Sequence, residues 1–336
     1  MKIAILHGPR NLRIEEKSLP ETLAADEIRV KTTISALKIG TDRGNYEGAE
    51  QVPGAPDYPR WVGDSNLGVV AAVGKSVTRF KVGDRVVGNL PHQSEYIAHE
   101  SDPIVRVPES ADSEDAVYAF LYSLSALCYR KAFFQPGENV AVIGLGVLGL
   151  GAVALGPLFG ARVVGLGNSE TRLEMAQRMG AHATFLSDDP DLSHKLDDFT
   201  NGQGIDLVIQ TANPWPAHRT ALQVVRPNGR IAIVALPGRG EPPLDFNPLS
   251  MEWFYMKGIS LIAVSGQDGD LYARDDDPYR RVRRCEFVLS LMADGRLQPK
   301  KLITHRFHFS EMKKAYEMAF AREKSMLGVI FQWDGA

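Results

Sequence analysis

Cysteine is nearly absent: the 336 residues contain two, Cys128 and Cys285. Two thiols can build neither a disulfide framework nor a four-cysteine zinc site, and both read as small buried apolar groups. Long hydrophobic runs are missing as well. No apolar stretch approaches the roughly 20 residues that span a bilayer. The opening MKIAILHGPR has too short an apolar core for a secretory signal and reads as a first strand. A dominant charge is also lacking. Lys plus Arg number 38 against 41 Asp plus Glu, for a formal net charge of -3. No general basic field exists to hold nucleic acid or an anionic membrane. These absences predict a cytoplasmic protein whose partner is a small molecule. What is present is ordinary for a globular protein: 44% hydrophobic and 24% charged residues, in a chain long enough for two domains.

The chain changes character along its length. Its first hundred residues carry short alternating or apolar runs at 2–6, 27–32, 67–73, 85–88 and 94–97, separated by Gly, Pro and Asp. That spacing predicts a compact barrel-like β unit. Residues 115–134 have helical periodicity. After the turn Gln135-Pro136-Gly137, apolar strands alternate with amphipathic helices: strands at 139–143, 162–166, 183–186, 206–210, 230–235 and 259–264, with helices at 147–160 and 169–179 among those between them. Continuous apolar strands of this kind predict a parallel sheet covered on both faces. Pro157 should bend the first of these helices. Beyond residue 268 the chain turns polar and closes with helical patterns at 280–293 and 310–320 and a strand at 327–332.

The central motif is Gly144-Leu145-Gly146-Val147-Leu148-Gly149, a G-x-G-x-x-G that follows an apolar strand and opens a helix. In that context the first glycine permits the turn, the second admits a pyrophosphate, and the third lets helix and strand pack closely. The helix N-terminus offers free N–H groups to the phosphates. The second strand bears on the choice of nucleotide. Gly167 stands where NAD enzymes place the carboxylate that binds the ribose 2′-OH. Without a carboxylate, a 2′-phosphate is not repelled. Asn168 and Ser169 offer hydrogen bonds, and Arg172 offers a charge-assisted one. The expected cofactor is therefore NADP(H) in preference to NAD(H), with Glu170 weighing slightly against it. The bland alternative makes Gly167 a turn glycine and Arg172 a solvated charge.

Several further segments, in order, carry a resemblance: Gly40-Thr41-Asp42; Gly63 with Gly68-Val69-Val70 and Val73-Gly74; Phe80-Lys81-Val82-Gly83-Asp84-Arg85-Val86; Pro136-Gly137-Glu138; Asp206-Leu207-Val208-Ile209; and Asn228-Gly229-Arg230. Nearly the whole chain resembles the medium-chain dehydrogenase/reductase superfamily, in particular its threonine/polyol dehydrogenase-like branch. The resemblance implies an α/β architecture: a GroES-like β-barrel catalytic domain over 1–120 and 269–336, with a Rossmann doubly wound parallel-sheet domain over 121–268. It also implies a homo-oligomer, dimer or tetramer. The chain departs from the family where zinc is held. Ile39 replaces the Cys before the Gly-Thr-Asp segment, Asp64-Ser65 replaces His-Glu after Gly63, and Leu121 aligns with a third ligand. The cysteine-rich structural-zinc lobe is reduced to the stretch 89–94. Catalytic zinc needs three protein ligands and an open position, so the expectation is chemistry without zinc.

Hydride transfer to a carbonyl without zinc needs hydrogen-bond donors aimed at the developing oxyanion, and a proton source. Thr41 aligns with the proton-relay hydroxyl of zinc-dependent relatives. Asp64, at a former ligand position, is a candidate general acid or base. Tyr58 and Tyr46 could donate through their phenols, Lys38 could hold an anionic substrate, and His92 could titrate near neutral pH. Each has a plainer reading as a turn hydroxyl, an Asx turn, a packing ring or a surface group. The basic run Arg280-Arg281-Val282-Arg283-Arg284, beside Asp275-Asp276-Asp277, reads as a compensated solvated surface in preference to a phosphate clamp. His305 and His308 receive no role. The leading function is an NADP(H)-dependent oxidoreductase of a small alcohol or carbonyl compound, sugar- or polyol-like by resemblance. Reduction of an activated carbon–carbon double bond is its rival, and non-catalytic NADPH binding a third reading.

Overall fold

The computed structural model describes residues 1–49, 57–265 and 281–334, in two compact units: Met1–Ser123 with Asp277–Ala336, and Leu124–Asp276. The chain begins with β1 (Lys2–Leu6), β2 (Leu12–Glu16) and the long β3 (Glu27–Leu37), which leads into α1 (Ile39–Glu47). Then follow β4 (Arg60–Trp61), β5 (Asn66–Val73), β6 (Arg85–Gly88), β7 (Glu95–His99) and β8 (Ile104–Arg106). The helical pattern at 115–134 forms as two pieces, α2 (Ser113–Ala116) and α3 (Ala119–Lys131). Asp112 caps the first, its side chain accepting the Glu114 N–H.

The second unit is a strict alternation: β9 (Asn139–Ile143), α4 (Val147–Leu158), β10 (Arg162–Gly167), α5 (Glu170–Arg178), β11 (Ala183–Leu186), α6 (Leu192–Thr200), β12 (Ile205–Gln210), α7 (Trp215–Val224), β13 (Val225–Ile233) and β14 (Ser260–Ala263). The six strands are all parallel, in the order β11-β10-β9-β12-β13-β14. Every residue of β9 is buried, as expected of a central strand covered on both faces. The strand order reverses between β9 and β12, so the C-terminal end of β9 lies at the switch point where doubly wound sheets bind ligands. Pro157 sits in the last turn of α4, where it removes the N–H that would bond the Val153 carbonyl, one residue before the helix ends.

The chain then returns to the first unit with α8 (Arg281–Ala293), β15 (Ile303–His308), α9 (Met312–Phe320) and β16 (Gly328–Gln332). In that unit β2-β1-β4 form one sheet and β15-β16-β3-β5-β6-β8 another, with β7 also paired to β3. The antiparallel register of β16 on β3, from Val329 opposite Leu37 to Gln332 opposite Ile34, builds the C-terminal segment into the N-terminal sheet. One apolar core cluster joins Leu6, Leu37, Tyr46, Met312, Tyr316 and Phe331 from both ends of the chain.

The basic run differs from expectation. Arg284 is 2% exposed and shares the buried side of α8 with Cys285, Val288 and Leu289, because residues three and four apart neighbour one another on a helix. The Arg281 guanidinium lies 5.4 Å over the Phe120 ring. Arg280 and the acidic run lie outside the described residues.

Candidate functional site

Two sites are built separately, one in each unit. In the Rossmann unit the loop after β9 turns at Gly144, whose φ of +95° favours glycine. A Cβ on Gly144 would sit 2.7 Å from Thr211 Oγ1, and one on Gly149 would sit 1.8 Å from the Gly144 carbonyl oxygen. The loop and the first turn of α4 are thus packed without room for a methyl group, and the Thr211 hydroxyl donates to Gly144 O at 2.7 Å. Gly146 is the exception: no atom lies within 4 Å of a Cβ placed there. It caps α4 without a side chain, so no side chain covers the first N–H groups of the helix. Val147 is buried; Leu148 is half-buried and its carbonyl accepts the Ser125 hydroxyl at 2.8 Å.

At the end of β10, Gly167 is buried, and a Cβ there would meet Leu145 Cδ1 at 2.9 Å. Asn168 is exposed. Ser169 occupies the cap position of α5 but makes no capping bond, and its Oγ is buried without a partner. Arg172 Nη1 donates to Leu145 O at 3.0 Å, tying α5 to the glycine loop. Burial holds the Arg172 pKa below its usual value. An open glycine at an uncapped helix N-terminus, with an orphaned buried hydroxyl at the next strand end, fits a dinucleotide: Gly144, Gly146 and α4 would hold the pyrophosphate, and Ser169 and Arg172 would face the ribose.

In the barrel unit, the step from β3 into α1 brings charged groups together. The backbone N–H of Lys38 donates to Asp42 Oδ2 at 2.8 Å, and Lys38 Nζ lies 2.7 Å from Asp64 Oδ2. The Lys38 and Asp64 side chains are 15% and 23% exposed, and Asp64 Oδ1 is buried without a partner. Asp42 is 2% exposed. Burial first, then the charge of Asp64, pushes its carboxyl up to about 7, against the opposing pull of the Lys38 N–H, the Lys38 charge and the Tyr316 hydroxyl. Tyr316, fully buried on α9, places that hydroxyl beside Asp42 without a well-formed hydrogen bond.

The other candidates fall differently. Thr41 is exposed in the first turn of α1. Tyr58 is half-buried, its hydroxyl donating to Asn45 O at 3.3 Å and its ring carrying the Arg60 guanidinium at 4.6 Å. Tyr46 is buried and donates to Glu317 Oε1 at 2.6 Å. His92 does not titrate near neutrality: it is wholly buried, and burial pushes it down to about 3. It packs on the Phe331 ring at 5.1 Å, and its Nδ1 is 2.9 Å from Ser35 Oγ. A Cβ on Gly63, where φ is +90°, would lie 2.5 Å from the His92 ring, which explains the glycine. Lys38 is not a free receptor for an anionic substrate, because Asp64 already meets its charge. Sequence reasoning passed over Asp42 as a chemical group, although it stands in the Gly40-Thr41-Asp42 segment; nothing in the sequence pointed to Tyr316.

Ile39 packs on the core and Leu121 is buried. Two hydrocarbon side chains cannot coordinate, and no group of three or more His, Cys, Asp or Glu among the described residues is placed to hold a metal ion. Burial pushes the Cys128 thiol up to about 12. No helix among the described residues is long and apolar enough to cross a membrane.

Residues 24–109 match the alcohol dehydrogenase GroES-like domain and residues 147–273 the zinc-binding dehydrogenase family. The chain belongs to the medium-chain dehydrogenase/reductase superfamily. This family member is 27% identical to the sorbitol dehydrogenase of Bacillus subtilis, over 98% of its own length and 96% of the relative's. It is 24% identical to the L-threonine 3-dehydrogenase of Pectobacterium atrosepticum, over 99% and 94%. Its fold matches that of galactitol-1-phosphate dehydrogenase from Escherichia coli with a TM-score of 0.82 at 19% identity, over 99% of this chain and all of the other. The resemblance stated from the sequence holds at the level of superfamily and fold.

Proposed function

We propose that this protein is a zinc-independent oxidoreductase that transfers hydride between NADP(H) and a small neutral alcohol or carbonyl compound. The observation that carries the reading is the presence of an intact glycine cradle in one unit and a charged pair, Lys38–Asp64, in the other, with Asp64 at a position that the resemblance assigns to a metal ligand. The names of the similar dehydrogenases, sorbitol and L-threonine among them, support an alcohol substrate. Gly144, Gly146, Val147, Leu148 and Gly149 hold the pyrophosphate. Asn168, Ser169 and Arg172 take the 2′-phosphate that the absence of a carboxylate at Gly167 admits. The nicotinamide, when bound, supplies or accepts the hydride. Thr41 offers an exposed hydroxyl for binding or proton relay. Ile39 and Leu121, as non-ligating side chains, support chemistry without zinc.

Following NADPH absorbance across polyols, ketoses, simple ketones and α,β-unsaturated ketones tests the reading. Consumption of carbonyl substrates by protein stripped with chelator supports it. Reduction of the unsaturated ketones alone, with their saturated counterparts inert, replaces it with double-bond reduction. Nucleotide choice has its own test. Gly167→Asp restores a carboxylate at the ribose, and Leu145 must shift its flexible end to admit it. We expect NADPH affinity to fall about 100-fold, nearly 3 kcal/mol, and NADH affinity to hold or rise. Fluorescence titration giving unchanged affinities for both nucleotides removes the NADP assignment.

A further inference from the structure

We propose that the Lys38 ammonium is the fixed cation of the substrate site, gripped at its head by Asp64 and at its backbone by Asp42, and that it gives its proton to the substrate oxygen. The inference rests on the oxidoreductase reading and assigns that reaction its acid.

The geometry separates this pair from an ordinary surface salt bridge. Exposed ion pairs flex and contribute little, whereas Lys38 and Asp64 are mostly out of water and in contact at 2.7 Å. Lys38 is fixed at two points, since Asp42 accepts its N–H at 2.8 Å while the Asp42 N–H returns a bond of 2.9 Å to Lys38 O. The side chain therefore leaves β3 along a set direction. The groups facing Asp42 are Asp64, Lys38 and the Tyr316 hydroxyl. Two carboxylates and one ammonium would leave the cluster with a net negative charge in a dry place, which is costly. Burial and Asp64 keep the Asp42 proton in place to about 7, so below that the cluster is neutral with its one cation at the partly exposed edge. A neutral cluster with a carboxylate at its mouth favours an uncharged carbonyl or alcohol over a phosphate or carboxylate.

In the reducing direction, Lys38 Nζ donates a hydrogen bond to the carbonyl oxygen. As hydride bonds to the carbonyl carbon, the π electron pair moves to oxygen, and the oxygen takes a proton from Nζ. The N–H electron pair stays on the nitrogen, and the neutral amine recovers a proton from water. NADPH, carbonyl and one proton thus become NADP⁺ and alcohol. Asp64 and Asp42 act as positioning residues, and Tyr316 supports Asp42.

The test compares wild type with Lys38→Ala and Lys38→Met. Lys38→Ala is expected to lose at least about 100-fold in kcat with NADPH affinity unchanged. Methylammonium should restore part of that rate, and tetramethylammonium, which has no N–H, should not. Retained activity in Lys38→Ala, or equal effects of the two cations, overturns the proposal, as does recovery on adding zinc alone. Thermal stability provides a readout that needs no turnover. Lys38→Met removes the cation that offsets the charge of Asp64 beside Asp42, which pushes the Asp42 carboxyl further up. The destabilisation is therefore present at high pH and relieved as pH falls and Asp42 protonates. A larger fall in Tm at pH 8 than at pH 5 is expected; equal falls overturn the cluster. A wild type that turns over no substrate, with the Tm pattern as expected, sinks the oxidoreductase reading and the proton transfer with it, while the charge cluster stands.

Discussion

Gly149→Ala is expected to lower the thermal transition by roughly 10 °C and to abolish nucleotide binding, while Gly146→Ala, three residues earlier, keeps its stability and loses binding alone. The contrast comes from the space around each residue. A methyl group on Gly149 would overlap the Gly144 carbonyl oxygen at 1.8 Å. That atom is backbone, fixed by the β9 turn and by the Thr211 hydroxyl, so the helix must move off the sheet. Overpacking of this kind costs about 3 kcal/mol, and in a unit of this size each kcal/mol moves Tm by roughly 2–4 °C. At Gly146 the backbone is ordinary, with φ of -83°, and the space beyond is empty. A methyl group meets nothing there until a pyrophosphate arrives. Differential scanning fluorimetry with and without NADPH separates the two variants. If Gly146→Ala binds NADPH as tightly as wild type, the phosphates do not lie against that turn.

Asp42→Asn is expected to be more stable than wild type at pH 8 and no more stable at pH 4. The Asp42 carboxyl is held at about 7 in the folded protein, against an ordinary value of 3.8. The sign follows from proton uptake. Above 3.8 the unfolded chain releases the proton that the folded protein keeps, so stability falls as pH rises, and the full loss is reached above about 7. Asparagine has no charge to desolvate, and its side-chain oxygen can still accept the Lys38 N–H. The gain at pH 8 should be roughly 2–4 kcal/mol, given about 1.4 kcal/mol per pKa unit. Urea denaturation from pH 4 to 8 measures it. Parallel wild-type and variant curves would place Asp42 in a hydrated, ionised state and dissolve the neutral cluster argued above.

These two cases also mark how far the sequence could be read. The glycine cradle was legible because every part of it is local: an apolar strand, a turn and a helix within about 20 residues, with the three glycines spaced as a pyrophosphate requires. His92 was misread because residue type suggests a titrating imidazole, while burial against Phe331 holds it neutral. Arg284 was misread for the complementary reason: a run of like charges reads as solvated, while the fold turns this position of α8 inward. The two-residue strand β4 and the three-residue β8 escaped because strands so short carry little periodicity and are held by partners distant in sequence.

The sequence by itself determined the fold class and the glycine-rich turn that opens α4. These depend on periodicity, backbone permissiveness and side-chain chemistry, all of which are properties of neighbouring residues. Only the tertiary structure decided that Lys38 meets Asp64, that Asp42 is dry, and that Tyr316 from the C-terminal return stands behind it. Charge and proton affinity depend on which groups the fold excludes from water together, and Tyr316 reaches residues 38, 42 and 64 from the C-terminal segment whose strand β16 pairs with β3.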